Sequence, residues 1–311
     1  MHFETYRDFD EFAHSIRGVV SNMMMHNPMH HRWSLRIVDL QEVDVQLGQL
    51  GSGNIAQGEL SQERAMLYLP LTPGTEYSAN GVRLPSDAFA VLEPGSEFCI
   101  STAAAHDWCA LSLPTQLFPG VADSAVAGEK STVHVTQVNP VAANRFREIV
   151  RHMIGLASES DTFESSLAAL DAASELKQLA SDVLQDERTD EPLAGRPKVA
   201  RDQIVDLAVE RLRQGEDEPV LVRDLADAAH VSERTLRNAF HEYFGMSPAR
   251  YLQNRQLTVV RRALCKSDPD QTTVSELLVN HGVWEFGRFA SRYRRLFGER
   301  PSETLRRKVG K

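Results

Sequence analysis

Short apolar runs dominate the first 115 residues. Leu35–Leu40, Val43–Leu47, Met66–Pro70, Phe89–Leu92, Phe98–Ile100 and Trp108–Leu113 are divided by clusters rich in Gly, Pro, Asn and Ser. Those clusters are Gly48–Asn54, Pro73–Gly74, Asn80–Gly81 and Pro94–Gly95. Short strands at near-regular intervals predict a β-sandwich or small barrel. Asn80-Gly81 between apolar stretches predicts a hairpin turn. Ahead of the strands, Phe3, Tyr6, Phe9, Phe12 and Ile16 recur at helical spacing, which predicts a short helix and an irregular lead-in to residue 30.

After residue 140 the period becomes helical. Val141–Ala157 places Phe146, Val150, Met153, Ile154 and Ala157 on one face. Phe163–Leu184 places Leu167, Leu170, Ala173, Leu176, Leu179, Val183 and Leu184 in a stripe near heptad spacing. These predict an antiparallel helical pair, whose second seam suits a dimer contact or packing on the β domain. The stretch 186–198 has charge, proline and glycine but no apolar period, the texture of a linker.

The segment from Val220 contains two short apolar-periodic stretches broken at His230-Val231-Ser232. Ser232 is a good N-cap and Glu233 an acid in the first turn, so a helix-turn-helix is predicted. Its second helix turns Glu233, Arg234, Arg237, Asn238 and His241 outward. Arg and Asn are the side chains that match guanine and adenine edges in the major groove. An echo starts at Thr273, which forms a capping box with Glu276. Gly282 sits at its turn, and its second helix exposes Glu285, Arg288, Ser291, Arg292 and Arg295. Both units end alike, in Phe244-Gly245 with Pro248 and in Phe297-Gly298 with Pro301. Between them Pro248–Cys265 reads as one helix with Tyr251, Leu252, Leu257, Val260 and Leu264 inward and Arg250, Arg255, Arg261, Arg262 and Lys266 outside. At about 1.5 Å per residue it spans about 27 Å, suited to seating two readers in successive grooves about 34 Å apart.

Charge supports that division. The 311 residues carry a net charge of −9, but residues 197–311 hold 21 Lys and Arg against 16 Asp and Glu, and residues 1–196 hold 13 against 27. A basic end on an acidic body predicts a polyanion-binding module attached to another domain.

Residues 200–311 resemble the DNA-binding domain of the AraC/XylS family of bacterial transcription regulators. The resemblance rests on Leu225-Ala226, Val231-Ser232, Arg234, Leu236, Phe240, Phe244-Gly245, Pro248, Tyr251, Arg261–Leu264, Gly282, Phe289, Tyr293, Phe297-Gly298 and Pro301. The stretches VSERTLRNAFHEYFG and WEFGRFASRYRRLFGERPS are similar to the branch containing ethanolamine-utilisation regulators, which leaves the effector itself unnamed. The family implies two helix-turn-helix units on a long helix, one per groove. Its reading positions match Arg234, Arg237 and Asn238 in the first unit, with Ser232 and Thr235 beside them. In the second they match Phe286, Gly287, Ala290 and Ser291, with Arg288, Arg292 and Arg295 nearby. Gly287 has no side chain, and Gly282-Val283-Trp284 delays the usual aromatic by one residue, so the second unit is expected to grip phosphate more than to read bases.

The expected whole is a multidomain α+β chain. It has a cupin-like β-barrel sensor (1–135), a helical coupling and dimerisation segment (136–185), a linker (186–198) and an all-α double helix-turn-helix domain (199–311). The expected function is a regulator, by family an activator working with RNA polymerase, controlled by a small organic effector and acting as a homodimer on double-stranded DNA. Trp33, Tyr68, Tyr77, Phe98 and Trp108 are the effector-binding candidates. The alternatives are a cupin-type metal-dependent enzyme with a DNA-binding tail and a ligand-independent regulator. His26, His30 and His31, or His106 with Cys99 and Cys109, invite a metal, but the two-His strand pattern with Glu and a third His is missing. No metal, cofactor or catalytic residue is expected. Three well-separated cysteines suit reduced thiols. No apolar run reaches about 18 residues, and the N-terminus has the wrong charge for a secretory signal, so a cytoplasmic protein without a membrane partner is expected.

Overall fold

The computed structural model describes residues 2–117, 133–135, 139–159, 162–185, 201–214 and 220–307. The N-terminal part comprises β1 (His2–Tyr6), α1 (Phe9–Ser15), β2 (Val19–His26), β3 (Trp33–Leu40), β4 (Val43–Leu50), β5 (Gly53–Leu60), β6 (Arg64–Pro70), β7 (Tyr77–Ala79), β8 (Val82–Leu84), β9 (Ala90–Leu92), β10 (Glu97–Thr102), β11 (His106–Pro114) and β12 (Val133–Val135). Helices α2 (Pro140–Glu159) and α3 (Leu167–Gln185) follow. The C-terminal part holds α4 (Arg201–Gln214), α5 (Val222–Ala228), α6 (Glu233–Phe244), α7 (Pro248–Lys266), α8 (Val274–Asn280), α9 (Phe286–Phe297) and α10 (Pro301–Arg306). The predicted linker 186–198 lies outside the described residues.

The strands form two antiparallel sheets, ordered β1-β3-β4-β11-β6-β9-β12 and β2-β5-β10-β7-β8. Every predicted strand is found. Asn80 (φ 45°) and Gly81 (φ 82°) turn the β7–β8 hairpin, with Ala79 opposite Val82; two positive φ values are what a type I′ turn requires. Two expectations fail. The first stretch is a strand, then α1, then β2, because Asp8 caps α1 by accepting from the Asp10 and Glu11 amides and so starts the helix at Phe9 rather than at Phe3. The supposed turn cluster Gly48–Asn54 is mostly strand. Gly48 lies within β4, where an added Cβ would come within 2.2 Å of the Trp108 indole, so the glycine serves close packing.

Side chains alternate across a strand, and here both faces are apolar. On β6 and β11, Met66, Tyr68, Trp108 and Ala110 enter the core between the sheets. Leu67, Leu69, Cys109, Leu111 and Leu113 point the other way and are covered by Phe146, Val150 and Met153 of α2 and Leu176, Leu179 and Val183 of α3. The α3 stripe is thus largely consumed on the sheet, while Leu167 (80% exposed), Leu170 and Val141 stay outside. Arg147 anchors α2: its guanidinium is buried and donates to Asp87 Oδ1 (2.9 Å), the Pro70 carbonyl (3.2 Å) and the Ser86 carbonyl.

His106 is buried at the start of β11. Its Nδ1 lies 3.0 Å from the Ala104 carbonyl, so Nδ1 carries the proton and Nε2 accepts from Tyr68 Oη at 3.2 Å. Burial pushes its pKa down to about 4, and that of His26 likewise to about 4, with Arg250 adding to the effect at His26.

Replacing Arg147 with Leu should cost about 2–3 kcal/mol, since it strands two buried carbonyls; denaturant unfolding measures it. Because His26 and His106 are neutral when folded and titrate near 6.5 when unfolded, their contribution is complete above pH 6.5 and is lost as pH falls toward 4. A His106→Gln variant should show a shallower decline of stability over that window.

Candidate nucleic-acid interface

Helices α5 and α6 form the first unit. Leu225, Ala226, Leu236, Ala239 and Phe240 make its core. His230 takes a left-handed φ of 54° at the turn, and the Val231 amide then donates to the Ala226 carbonyl at 3.0 Å. Ser232 caps α6, its Oγ accepting from the Thr235 amide at 3.2 Å. Helices α8 and α9 repeat this. Gly282 (φ 69°) takes the place of His230, and the Val283 amide donates to the Leu278 carbonyl at 2.8 Å. The units then diverge by one residue, Trp284, which is 75% exposed. The α9 N-cap is Glu285, with no side-chain cap. Both helices end in left-handed glycines, Gly245 (φ 68°) and Gly298 (φ 76°), and α7 joins the units with Pro248 in its first turn.

The predicted contact residues Ser232, Arg234, Thr235, Arg237, Asn238, Phe286, Gly287, Arg288, Ser291, Arg292 and Arg295 are all exposed. Among the described residues, Arg234, Arg237, Arg292 and Arg295 make no ion pair, whereas Arg288 donates to Glu285 at 2.7 Å. A Cβ at Gly287 would meet nothing within 4 Å, so that position offers bare backbone to a ligand. Phe289, Tyr293 and Phe240 are core residues.

Reader and β domain meet over a wide contact that the sequence did not announce. Ser78 Oγ donates to the Tyr243 carbonyl (2.8 Å) and Ser101 Oγ to the Phe244 carbonyl (3.2 Å), at the C-terminus of α6. His31 Nε2 lies 3.0 Å from the Leu296 carbonyl, at the C-terminus of α9. The β domain therefore holds the same end of both second helices. Arg261, which the sequence pattern places outside, is 3% exposed and pairs with Asp8 and Asp10, while Arg307 joins Asp8 to Glu299. Burial raises the Asp8 pKa, but the Arg261 guanidinium and two backbone amides outweigh it and hold the carboxyl below its ordinary value. Arg261 lies in the same stripe as Leu257, Val260 and Leu264, and a charge there needs a buried partner.

The effector candidates Trp33, Tyr68, Tyr77 and Trp108 share the aromatic core between the sheets. Tyr68 is 5.5 Å from Tyr77 and 6.0 Å from Trp108, and Trp33 is 5.4 Å from Phe9. Trp33 Nε1 is buried without a partner. Phe98 belongs to the same core and also borders an open cleft facing α4. Of the metal candidates, Cys99 faces the reader and Cys109 the helical pair, and the described residues hold no group of three metal-ligating side chains. No helix among them is long and apolar enough to cross a membrane.

Comparison with known proteins places the likeness in this region. Residues 225–307 match the family model described as a helix-turn-helix domain. XylDLEGF operon transcriptional activator 1 of Pseudomonas putida is 34% identical over 114 residues, 37% of this chain and 33% of that protein. A probable thc operon regulatory protein of Rhodococcus erythropolis is 36% identical over 110 residues, 35% of this chain and 33% of that protein. The alignments thus span about a third of these relatives' length. A probable AraC family transcriptional regulator from Rhodopseudomonas palustris has a solved structure 29% identical to this chain, covering 33% of it and 95% of that structure, with a TM-score of 0.31.

Ser232→Ala should destabilise the reader by about 1 kcal/mol through its lost cap, while Glu285→Ala, which removes no side-chain cap, should stay within about 0.5 kcal/mol; thermal unfolding distinguishes them. By its sequence likeness and its pair of capped helix-turn-helix units, the C-terminal part of this chain is a DNA-binding domain of the AraC/XylS family.

Proposed function

We propose that the protein is a sequence-specific DNA-binding transcription regulator controlled by a small organic effector. The observation that carries this is the exposed face of α6: Arg234, Arg237 and Asn238 project from a helix whose other face is locked into a core, with no internal partner for either arginine. Such a helix presents base-reading side chains to a major groove. Arg288, Arg292 and Arg295 on α9 supply phosphate contacts, which position the duplex without reading it. The second unit carries glycine where the first carries Arg234, which assigns most of the sequence discrimination to the first.

Control would pass through the contact between β domain and reader. Ser78, Ser101 and His31 bind the ends of α6 and α9, so a shift of the β strands alters how the two helices are held. An effector among Trp33, Tyr68, Tyr77 and Trp108, with Trp33 Nε1 as a donor, changes DNA affinity only by binding one arrangement better than another. Activation fits the relatives that are named transcriptional activators. Pairing of two copies, contact with RNA polymerase and a cytoplasmic location complete the proposal.

Arg234→Ala should weaken binding to a duplex selected by the protein from random sequence by about 1–3 kcal/mol and leave thermal stability near wild type. Fluorescence anisotropy is the measurement, and an unchanged affinity would reject the role of α6. Affinity should also fall steeply with added salt.

A further inference from the structure

The start of α9 carries apolar surface that the core does not use. Trp284, the residue by which the second unit exceeds the first, is 75% exposed, and Phe286 in the first turn is 38% exposed. The Trp284 indole makes no ring contact or hydrogen bond among the described residues. An indole is one of the largest apolar surfaces a side chain offers, and a cluster of such surface left in water marks a contact site. Its neighbours indicate what it meets. Arg292 and Arg295 on the same helix make no ion pair among the described residues, so the face attracts a polyanion. Gly287 stands at the second position of α9, where Arg234 stands in α6, and a Cβ there would meet nothing within 4 Å. Bare backbone lets the start of α9 come closer to a groove floor than α6 can.

The hydrogen-bonding side chains of this edge are already engaged. Arg288 donates to Glu285 at 2.7 Å, and Ser291 Oγ donates to the Gly287 carbonyl at 2.9 Å. What remains for a base pair is apolar contact, and the group that apolar contact distinguishes in the major groove is the thymine C5-methyl. The N-terminal end of a recognition helix is the end that meets base edges, and both aromatics stand there. We propose that Trp284, together with Phe286, reads thymine by packing on its C5-methyl group in the groove entered by α9. This rests on the reading of the protein as a DNA-binding regulator. It adds to that reading a smaller, apolar share of the sequence discrimination, carried by the second unit alongside its phosphate grip.

The test uses the duplex that the full chain selects from random sequence, remade with deoxyuridine in place of each thymidine in turn. That exchange removes one methyl group and no hydrogen bond. Fluorescence anisotropy should show the wild-type chain losing about fourfold in affinity at one position or more, the effect of leaving one methyl group unburied. Trp284→Ala should bind the unmodified duplex correspondingly more weakly and be indifferent to deoxyuridine at those positions. Phe286→Ala should keep part of the sensitivity, and Arg234→Ala should lose affinity throughout yet keep all of it. Trp33 and Trp108 are buried, so acrylamide, a neutral quencher, reports on Trp284: quenching should be strong in the free chain and weak in the complex. Deoxyuridine without effect at every position, a Trp284→Ala variant with wild-type sensitivity, or an indole still quenched in the complex would each overturn the proposal. In each of those cases, binding to the selected duplex leaves the regulator reading standing. A chain that selects no duplex removes that reading and the thymine contact with it.

Discussion

Each sheet of the β domain is apolar on both faces, and that requirement for double cover organises the molecule. A strand facing water on one side alternates apolar and polar residues; β6 and β11 instead bury consecutive positions. The larger sheet takes α2 and α3 as its outer layer. The smaller sheet shows Met24, Ile55 and Cys99 on its outside, and the first helix-turn-helix unit covers them, with Phe240, Tyr243 and Tyr251 in the same cluster. The DNA reader is thereby part of the fold's layering as well as a separate unit along the chain. Its second unit is continuous with the inter-sheet core through Leu257, Val260 and Leu264.

Polar contacts then make that apolar docking specific. Hydrophobic cover has no preferred direction, whereas Arg261 between Asp8 and Asp10 has a single good geometry. Buried ion pairs add little net stability but penalise every arrangement in which one partner is left alone. The hydrogen bonds from Ser78, Ser101 and His31 end on carbonyls that a helix C-terminus leaves unsatisfied, so the β domain completes both second helices. A change in the β domain accordingly reaches the two readers through their ends, away from the residues that face DNA.

The two units are unequal copies. They share the left-handed turn residue and the amide-to-carbonyl bond across it, yet the second carries the additional Trp284 and starts α9 at Glu285 without a side-chain cap. Gly287 in an open environment leaves backbone where the first unit has a guanidinium. Dividing recognition this way lets one helix discriminate while the other supplies charge.

Local signals in the sequence determined the elements and the reading face. Six of the strands (β3, β4, β6, β9, β10 and β11), the Asn80-Gly81 hairpin, the Ser232 and Thr273 caps and the outward arginines of α6 and α9 follow from period, capping and turn chemistry, which act within a few residues. The tertiary structure alone decided what those signals do not encode. A helical period over residues 3–16 became a strand and a helix because Asp8 caps where it does. Gly48 became a strand residue because an indole from β11 needs the space. Arg261 went inside because two carboxylates, about 250 residues earlier in the chain, meet it there, and most of the α3 stripe packs on the larger sheet. These outcomes depend on pairings between distant segments, and such partners are brought together by packing and not by their own neighbours in sequence.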